Sequence, residues 1–237
     1  MIYIKDLCKT YKTANGTAQA LKNISLEIAD NSCTLIAGEN GSGKSVLMSI
    51  IAGLEKADCG ELKVDGRVGL VFQEAETQIL GETPREDITF GPKNLNWKKE
   101  KIEVTVKNAL EQTGLTNKAD FPARFLSGGE KRRLAVACML AMDLSVIILD
   151  EPFANLDYSG VKQVNQLIKQ LKNDGKTIII LTHEIEKCLS LADKFVILFR
   201  GEKKFDGTPE EGLKQKLEEW NIRNPLVSYK SVEDLIW

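Results

Sequence analysis

The sequence lacks the residue patterns that identify several common classes of protein. Its five cysteines lie far apart, are odd in number and include no C-x-x-C pair, so we expect reduced, buried thiols and neither a zinc site nor a disulfide framework. No apolar run approaches the ~18 residues that cross a bilayer. There is one histidine, His183, and no internal repeat. A membrane-spanning or disulfide-stabilised protein is therefore not expected.

The sequence also has no surplus of either charge. It contains 32 Lys and Arg against 34 Asp and Glu, a formal net charge of -2, which argues against a protein held to nucleic acid by its overall field. The first residues lack the basic and apolar segments of a secretory signal, so we expect a cytoplasmic protein that reaches a membrane only through a partner. With 43% hydrophobic and 28% charged residues, the 237-residue chain can form a sizeable core.

A glycine-rich stretch, Gly-Glu-Asn-Gly-Ser-Gly-Lys-Ser at 38–45, fits the phosphate-binding pattern G-x-x-x-x-G-K-[ST]. The apolar run 33–37 before it predicts a strand, and the run 46–52 after it has helical spacing, so a chance glycine-rich turn is disfavoured. Glycines allow successive N–H groups to converge on phosphate at a helix N-terminus. Lys44 would reach the β- and γ-phosphates, and Ser45 would ligate Mg²⁺. The expected nucleotide-binding residues are Gly38, Glu39, Asn40, Gly41, Ser42, Gly43, Lys44 and Ser45.

Polar residues follow three further apolar runs. The runs 68–72, 146–149 and 177–181 predict buried strands, and they precede Gln73, the pair Asp150 and Glu151, and His183. The carboxyl ends of parallel strands meet at one edge of a sheet, where ligands bind. Asp150 would complete the Mg²⁺ site, Glu151 would accept a proton from the attacking water, and the Gln73 amide could hold both metal and water. Each residue alone has a plain structural alternative; with the phosphate loop they indicate phosphoryl transfer.

The remaining pattern predicts an α/β fold with a mainly parallel sheet covered by helices. Alternation over 1–7 and 20–28 predicts two antiparallel strands joined by a turn at Asn15-Gly16, and 60–66 predicts another short strand. The segments 99–113, 131–142, 160–173 and 184–191 are predicted helices, and 195–199 is a predicted strand. The tail from residue 209 is predicted to be helical, with Trp220 and Trp237 as packing anchors.

The stretch Leu126-Ser127-Gly128-Gly129-Glu130 stands before the helix at 131–142. Together with the phosphate loop, Gln73, the Asp-Glu pair and His183, it resembles the signature of ATP-binding cassette (ABC) ATPases, and the resemblance covers about residues 1–210. It implies a P-loop NTPase core with an antiparallel β-subdomain at 1–73 and 143–210, an inserted helical subdomain at 74–142 and a helical tail at 211–237.

The same resemblance implies a role for each matching residue. Tyr11 would stack on adenine, Gln73 would link the nucleotide to the helical subdomain, Glu151 would be the general base and His183 would sense the γ-phosphate. Residues 155–157 resemble the loop that crosses the interface of a dimer. The implied dimer, with a second copy or a related chain, is head-to-tail: one subunit closes over the ATP held by the other with Ser127, Gly128, Gly129 and Glu130.

A finer resemblance lies in residues 71–95, where Gln78 follows Gln73 by five residues and a Glu-Asp-Ile-x-Phe-Gly-x-x-Asn-Leu run comes after. It is similar to the ATPases of energy-coupling factor (ECF) transporters, which import vitamins and transition-metal ions. A membrane subunit would then dock on the Gln73–Leu95 region, with its coupling helix in a groove formed by 85–87 and the apolar residues near them, unless these residues form a solvated loop.

Two rival functions share the cassette motifs, beside a nucleotide-dependent regulator without turnover, which Glu151 disfavours. One is the ATPase subunit of an ordinary ABC importer or exporter. The second is a soluble mechanical ATPase that acts on DNA or ribosomes, a class that usually needs a coiled-coil insertion or two cassettes in one chain. The sequence has neither of these features, which favours transport.

Two departures from the family pattern have structural consequences. The signature ends in Glu130 where glutamine is usual, and we expect the following Lys131, Arg132 and Arg133 to offset its charge. The segment between Lys44 and Gln73 is short, which predicts a small β-subdomain.

Overall fold

The computed structural model describes residues 1–13, 16–226 and 231. Within them the strands are β1 (Ile2–Thr13), β2 (Gly16–Ile28), β3 (Cys33–Ala37), β4 (Cys59–Val64), β5 (Val68–Val71), β6 (Val146–Asp150), β7 (Thr177–Thr182), β8 (Lys194–Phe199) and β9 (Glu202–Gly207). The α-helices are α1 (Lys44–Ile51), α2 (Pro84–Asn94), α3 (Lys99–Gln112), α4 (Gly128–Ala141), α5 (Tyr158–Asn173) and α6 (Pro209–Gly212).

A six-stranded sheet forms the centre of the molecule, in the order β5-β6-β7-β3-β8-β9. All neighbours are parallel except β8 and β9. The predicted α/β fold with a mainly parallel sheet is therefore confirmed. The middle strands are apolar and buried along almost their whole length, because helices or the second sheet cover both faces. The carboxyl ends of β3, β5, β6 and β7 consequently come together at one edge.

A second, antiparallel sheet of three strands, β2-β1-β4, packs against α1. Apolar side chains of β1 and β2, such as Ile4 and Leu26, lie in the same core as Ile50 and Ile51 of α1. Thr13 pairs with Gly16 where the hairpin turns; the predicted turn also includes Asn15, which lies outside the described residues. Three strands are a small β-subdomain, as the short segment between Lys44 and Gln73 predicts.

Helices α2, α3 and α4 enclose a separate small core that includes Ile88, Ile102, Leu110 and Leu134. Helix α4 begins at Gly128, three residues before the predicted start. Its N-terminus is fixed by a capping box between Ser127 and Glu130. The side chain of each residue accepts a hydrogen bond from the backbone N–H of the other.

Two predicted helices are wrong. Residues 184–191 form two 3₁₀ turns, Ile185–Lys187 and Leu189–Leu191, and Cys188 between them departs from helical geometry with a φ of -148°. Over its described residues, 209–226 and 231, the tail forms only the four-residue α6 and the 3₁₀ turn Leu217–Trp220, which ends at Asn221 in the left-handed conformation. Trp220 packs against the main core as predicted; Trp237 lies outside the described residues.

The cysteines also depart from the prediction of buried thiols. Cys33 and Cys188 are buried, Cys8 and Cys138 are half-buried, and Cys59 is exposed. Among the described residues, no helix has the length and hydropathy needed to span a membrane.

The middle of the parallel sheet should be the most sensitive part of the fold to loss of side-chain volume. Ile180 is fully buried between Leu35 and Leu149 on the neighbouring strands, so Ile180→Ala should lower the free energy of unfolding by about 3–4 kcal/mol. Val68→Ala, at a half-buried position on the edge strand β5, is the matched control and should cost about 1 kcal/mol. Urea unfolding followed by circular dichroism measures both, and equal losses would contradict this account.

Candidate functional site

A cavity of about 410 Å³ opens at the edge where the carboxyl ends of the strands meet. It brings together the aromatic of β1, the glycine-rich loop and the polar residues that follow β5 and β6. Its lining residues are Tyr11, Ala20, Asn40, Gly41, Gly43, Lys44, Ser45, Val46, Gln73, Asp150 and Glu151. Residues distant in the sequence thus share one concave surface, as the strand-end argument predicts.

The glycine-rich loop runs from the end of β3 to the first residue of α1. Gly43 has a φ of 105°, and a Cβ there would lie 2.6 Å from the carbonyl oxygen of Ala20. Only glycine avoids both the left-handed strain and this clash. The loop therefore delivers backbone N–H groups to the N-terminus of α1, the arrangement that binds phosphate.

Lys44 is the charged residue at the mouth of this loop. Its side chain is 5% exposed, and Nζ donates hydrogen bonds to the carbonyl oxygens of Gly38 at 2.6 Å and Glu39 at 3.1 Å. Burial lowers the pKa of Lys44, and the nearby carboxylates oppose this effect, Glu151 most strongly. The ammonium is thus held by the loop that would bind phosphate.

Asp150 lies across from the start of α1 and accepts a hydrogen bond from the Ser45 side chain. Burial raises its pKa, Glu151 raises it further, and Lys44 and Ser45 act in the opposite direction. A hydroxyl and a carboxylate oxygen are hard ligands that suit Mg²⁺, which also keeps waters and takes phosphate oxygens. The described residues contain no cluster of three or more His, Cys, Asp or Glu that could hold a metal alone. The Ser45 and Asp150 pair fits Mg²⁺ held jointly with a nucleotide.

Glu151 is a buried carboxylate whose orientation is fixed on three sides. Oε2 accepts a hydrogen bond from Thr182 Oγ1 at 2.8 Å, and Oε1 lies 2.9 Å from Nδ1 of His183. Its backbone N–H bonds to the carbonyl of Leu181, and its φ is 44°. A non-glycine residue in this conformation stores strain, which is common at functional sites.

His183 lies beside Glu151 but is not among the residues that line the cavity. Its side chain is about half exposed. The position allows contact with a ligand at the edge of the cavity, and its role as a γ-phosphate sensor stays a prediction.

Gln73 is exposed and lines the cavity, whereas its backbone is held from another element. Arg132 of α4 donates to the Gln73 carbonyl at 2.9 Å and to the Ala154 carbonyl at 3.2 Å. Arg132 is 6% exposed. The signature helix is therefore tied to the loop after β5 and to the loop before residues 155–157. This role of Arg132 was not predicted from the sequence, although an arginine on an apolar helix face is a recognisable signal.

The signature residues lie at the N-terminus of α4. Of the cavity-lining residues named above, none belongs to the 127–130 stretch. Ser127 accepts from the backbone N–H of Glu130, and the Glu130 side chain accepts from the Ser127 N–H. These residues present a helix N-terminus to the surface, where it is available to a second molecule.

The expected partners of Glu130 are wrong. Its carboxylate pairs with Lys118 at 2.6 Å, whereas Lys131 pairs with Glu76 and Arg133 bonds to Gln163. Burial raises the pKa of Glu130, but the hydrogen bonds from Lys118 and from the Ser127 backbone outweigh it, so the pKa lies below its usual value. Lys118 is twelve residues away in sequence, so no local pattern pointed to it.

Glu55 is a further residue that the sequence did not reveal. The Tyr11 hydroxyl donates to Glu55 Oε2 at 2.6 Å, and Lys9 Nζ lies 3.1 Å from Glu55 Oε1. Burial raises the pKa of Tyr11, and the bond to Glu55 adds to the effect. Glu55 thus holds the aromatic side chain at the rim of the cavity.

The predicted docking groove at 85–87 stays a prediction, and its residues differ in burial. Asp87 is buried and accepts hydrogen bonds from the backbone N–H groups of Leu80 and Gly81 at 2.7 and 2.8 Å. Arg85 forms a two-point ion pair with Asp120. A cavity of about 520 Å³ lies beside them, between the loop at 76–83 and the segment at 122–124. Asp87 therefore lies beneath the surface, whereas Arg85 lines a second cavity, of about 470 Å³, with Thr89 of α2 and Ile102 of α3.

Comparison with known proteins places the chain in a family. The family model described as ABC transporter matches residues 21–154. The energy-coupling factor transporter ATP-binding protein EcfA2 of Methanospirillum hungatei is 38% identical over 231 residues, which cover 91% of this chain. The alignment spans 57% of that relative, so the chain corresponds to little more than half of its length.

Two solved structures have the same fold. The structure of cbiO1 from Clostridium perfringens, part of the ABC transporter complex cbiONQ, matches with a TM-score of 0.82 and 32% identity, and covers 94% of this chain and 95% of that one. The dimeric ABC transporter cassette MJ0796 matches with a TM-score of 0.79 and 29% identity over 88% of this chain and 99% of that one. The resemblance stated from the sequence is confirmed: the chain belongs to the ABC transporter family and has the fold of its ATPase cassettes.

Proposed function

We propose that the chain hydrolyses ATP and thereby energises import through separate membrane proteins, as the ATPase subunit of an ECF-type transporter for a vitamin or transition-metal ion. One observation carries the catalytic part: Glu151 lies in the same cavity as Lys44 and Asp150, with its carboxylate oriented by Thr182 and His183. The EcfA2 and cbiO1 similarities support the ECF assignment.

The residues divide the reaction between binding and proton transfer. The loop at 38–45 and Lys44 bind the phosphates, and Tyr11 lies at the rim to contact the base. Ser45 and Asp150, with Gln73, hold Mg²⁺, which when bound neutralises charge on the β- and γ-phosphates. Glu151 accepts the proton of the attacking water, because its two oxygens are already fixed by Thr182 and His183 and little reorganisation is needed.

The site is completed by a second ATPase subunit, identical or related. In a head-to-tail pair, the capped helix N-terminus at Ser127, Gly128, Gly129 and Glu130 closes over the nucleotide of the partner, adds N–H donors and excludes water. The dimeric state of the MJ0796 cassette supports this arrangement.

A membrane subunit docks on the Gln73–Leu95 region and keeps the chain at the cytoplasmic face of the membrane. Three large apolar side chains in this region are exposed: Leu80 by 68%, Phe90 by 49% and Leu95 by 37%. Leu80 lies between Ile79 and Gly81, which line the cavity of about 520 Å³, and Phe90 and Leu95 lie on α2 and at its C-terminal end. Exposed apolar side chains on one helix and beside a concave surface suit contact with a helix of a partner protein.

Glu151→Gln should reduce ATP hydrolysis at least 100-fold, because the amide cannot accept the proton, while ATP still binds. ATP-bound dimers should therefore accumulate. Phosphate release and size-exclusion chromatography with ATP measure the two effects. The control Glu186→Gln changes an exposed glutamate nearby and should leave the rate of hydrolysis and the amount of dimer unaltered. A normal rate of hydrolysis in the Glu151 variant would show that Glu151 is not the general base.

Ser127→Arg should abolish hydrolysis without weakening ATP binding to the isolated chain, because the residue acts on the nucleotide of the other subunit. Equilibrium binding of a fluorescent ATP analogue and steady-state hydrolysis separate the two properties. Ser190→Arg, at an exposed serine of the 3₁₀ turn Leu189–Leu191, tests for a general effect of added charge. Normal turnover in the Ser127 variant would contradict a shared site.

Glu55→Ala should raise the KM for ATP about five-fold, or roughly 1 kcal/mol, with little change in kcat, because it frees the Tyr11 side chain without touching the phosphates. Glu61→Ala is the matched control, since Glu61 pairs with exposed Lys63 on the same small sheet. A fall in kcat at constant KM would show that Glu55 acts on another step.

A further inference from the structure

Cys8 and Cys59 lie directly opposite each other on β1 and β4. Side chains of directly opposed residues in an antiparallel pair project from the same face of the sheet, with Cα atoms roughly 4.5–5.5 Å apart. A disulfide requires a Cα separation of about 4.4–6.8 Å. The backbone therefore already holds the two residues at a distance that a disulfide can bridge.

The two thiols lie close together and are accessible. Cys8 Sγ and Cys59 Sγ lie 3.6 Å and 3.7 Å from the same acceptor, the carbonyl oxygen of Asp6. The neighbouring Cys8 thiol raises the pKa of Cys59. Cys8 also donates to Asn23 Oδ1 at 2.9 Å. Cys59 is exposed and Cys8 is half-buried. An oxidant from solution can thus reach Cys59, and the Cys8 thiol lies beside it.

The other three cysteines differ from this pair. Burial raises the pKa of Cys33 to about 12 and also raises the pKa values of Cys138 and Cys188. Cys33 and Cys188 are buried and out of reach of an oxidant in solution, and the half-buried Cys138 donates a hydrogen bond to Asp87. Solvent access and a neighbouring thiol are therefore combined at Cys8 and Cys59 alone among the five cysteines, all of which the structure describes.

We propose that Cys8 and Cys59 are a redox modification site that forms a reversible disulfide within one chain when the protein meets a peroxide. One thiolate attacks a peroxide oxygen, the O–O bond breaks, and a sulfenic acid and a first water form after proton uptake. The second thiol then displaces the sulfenic oxygen as another water while the S–S bond forms. In total, two thiols lose two electrons and two protons, and the peroxide is reduced to water. A small-molecule dithiol restores the pair by exchange.

The disulfide would strengthen contacts that already hold the rim of the nucleotide cavity. Asp58, next to Cys59, accepts the Thr10 N–H at 2.7 Å, and Lys9 bonds to the Lys56 carbonyl at 2.7 Å. Tyr11 is three residues beyond Cys8 on the same strand. Because the link joins backbone positions already opposed, it should fix the strand without moving it. The closed loop, residues 8–59, is long, which favours a large effect on stability.

The full-length protein is treated with hydrogen peroxide under native conditions, and the products are mapped by mass spectrometry without reduction. We expect a peptide pair joined through Cys8 and Cys59, with two of the five free thiols lost, both restored by dithiothreitol. The melting temperature of the oxidised protein should rise by roughly 5–10 °C. Failure to recover the linked pair, or linkage only between two chains, would overturn the proposal.

Variants separate the pair from general oxidation. Cys8→Ser and Cys59→Ser should each prevent the linked peptide and the rise in melting temperature. Cys138→Ser, which keeps a donor toward Asp87, should retain both. A peroxide-induced rise of the same size in Cys8→Ser would show that the stabilisation arises elsewhere and would contradict the proposal.

Discussion

The candidate site depends on one electrostatic constraint, the burial of Lys44 beside two carboxylates. Burial disfavours the charged form of each group, and it lowers the pKa of Lys44 while raising that of Asp150. The opposite charges partly offset both shifts, so the ammonium and the carboxylates stabilise one another in a place poor in water. The parallel sheet makes this possible because β3 and β6 end at the same edge. A phosphate that enters this site meets a cation and N–H donors that are already oriented.

Glu151 shows how the fold holds a reactive carboxylate in place. Its left-handed backbone costs of order 1–3 kcal/mol and is stable only where the surroundings fix it. The N–H bond to Leu181 extends the β6–β7 pairing by one residue beyond Asp150, and Thr182 and His183 at the end of β7 take the two oxygens. Two neighbouring strands therefore set the direction of one side chain. A charge fixed before the reaction needs little reorganisation during it.

The parts that could be predicted from the sequence are those encoded locally. The glycine-rich loop is recognisable because Gly43 has no alternative in its backbone conformation, and the buried strands are recognisable because their apolar runs are continuous. The missed features join distant segments: Lys118 pairs with Glu130, and Glu55 with Tyr11. The 3₁₀ turns at 185–191 were missed for another reason, since apolar spacing does not report the non-helical backbone of Cys188. Local sequence patterns predict which residues belong to the site, whereas the contacts that orient those residues depend on tertiary packing.

Arg132 connects the candidate site to helix α4, whose N-terminus is proposed to face a second subunit. Its buried guanidinium donates hydrogen bonds to the backbone carbonyls of Gln73 and Ala154. Its Nε is also buried and has no hydrogen-bond partner among the described residues. Burial lowers the pKa of Arg132 because the buried charge loses its hydration. The two carbonyl acceptors offset this cost of keeping the guanidinium charged. Both carbonyls belong to loops that follow strand ends at the cavity, whereas Arg132 belongs to the helix that begins at Gly128. A shift of the Gln73 backbone would therefore break a buried charged hydrogen bond unless α4 moved with it. Arg132 thus couples the loop proposed to contact the nucleotide to the helix proposed to face the second subunit.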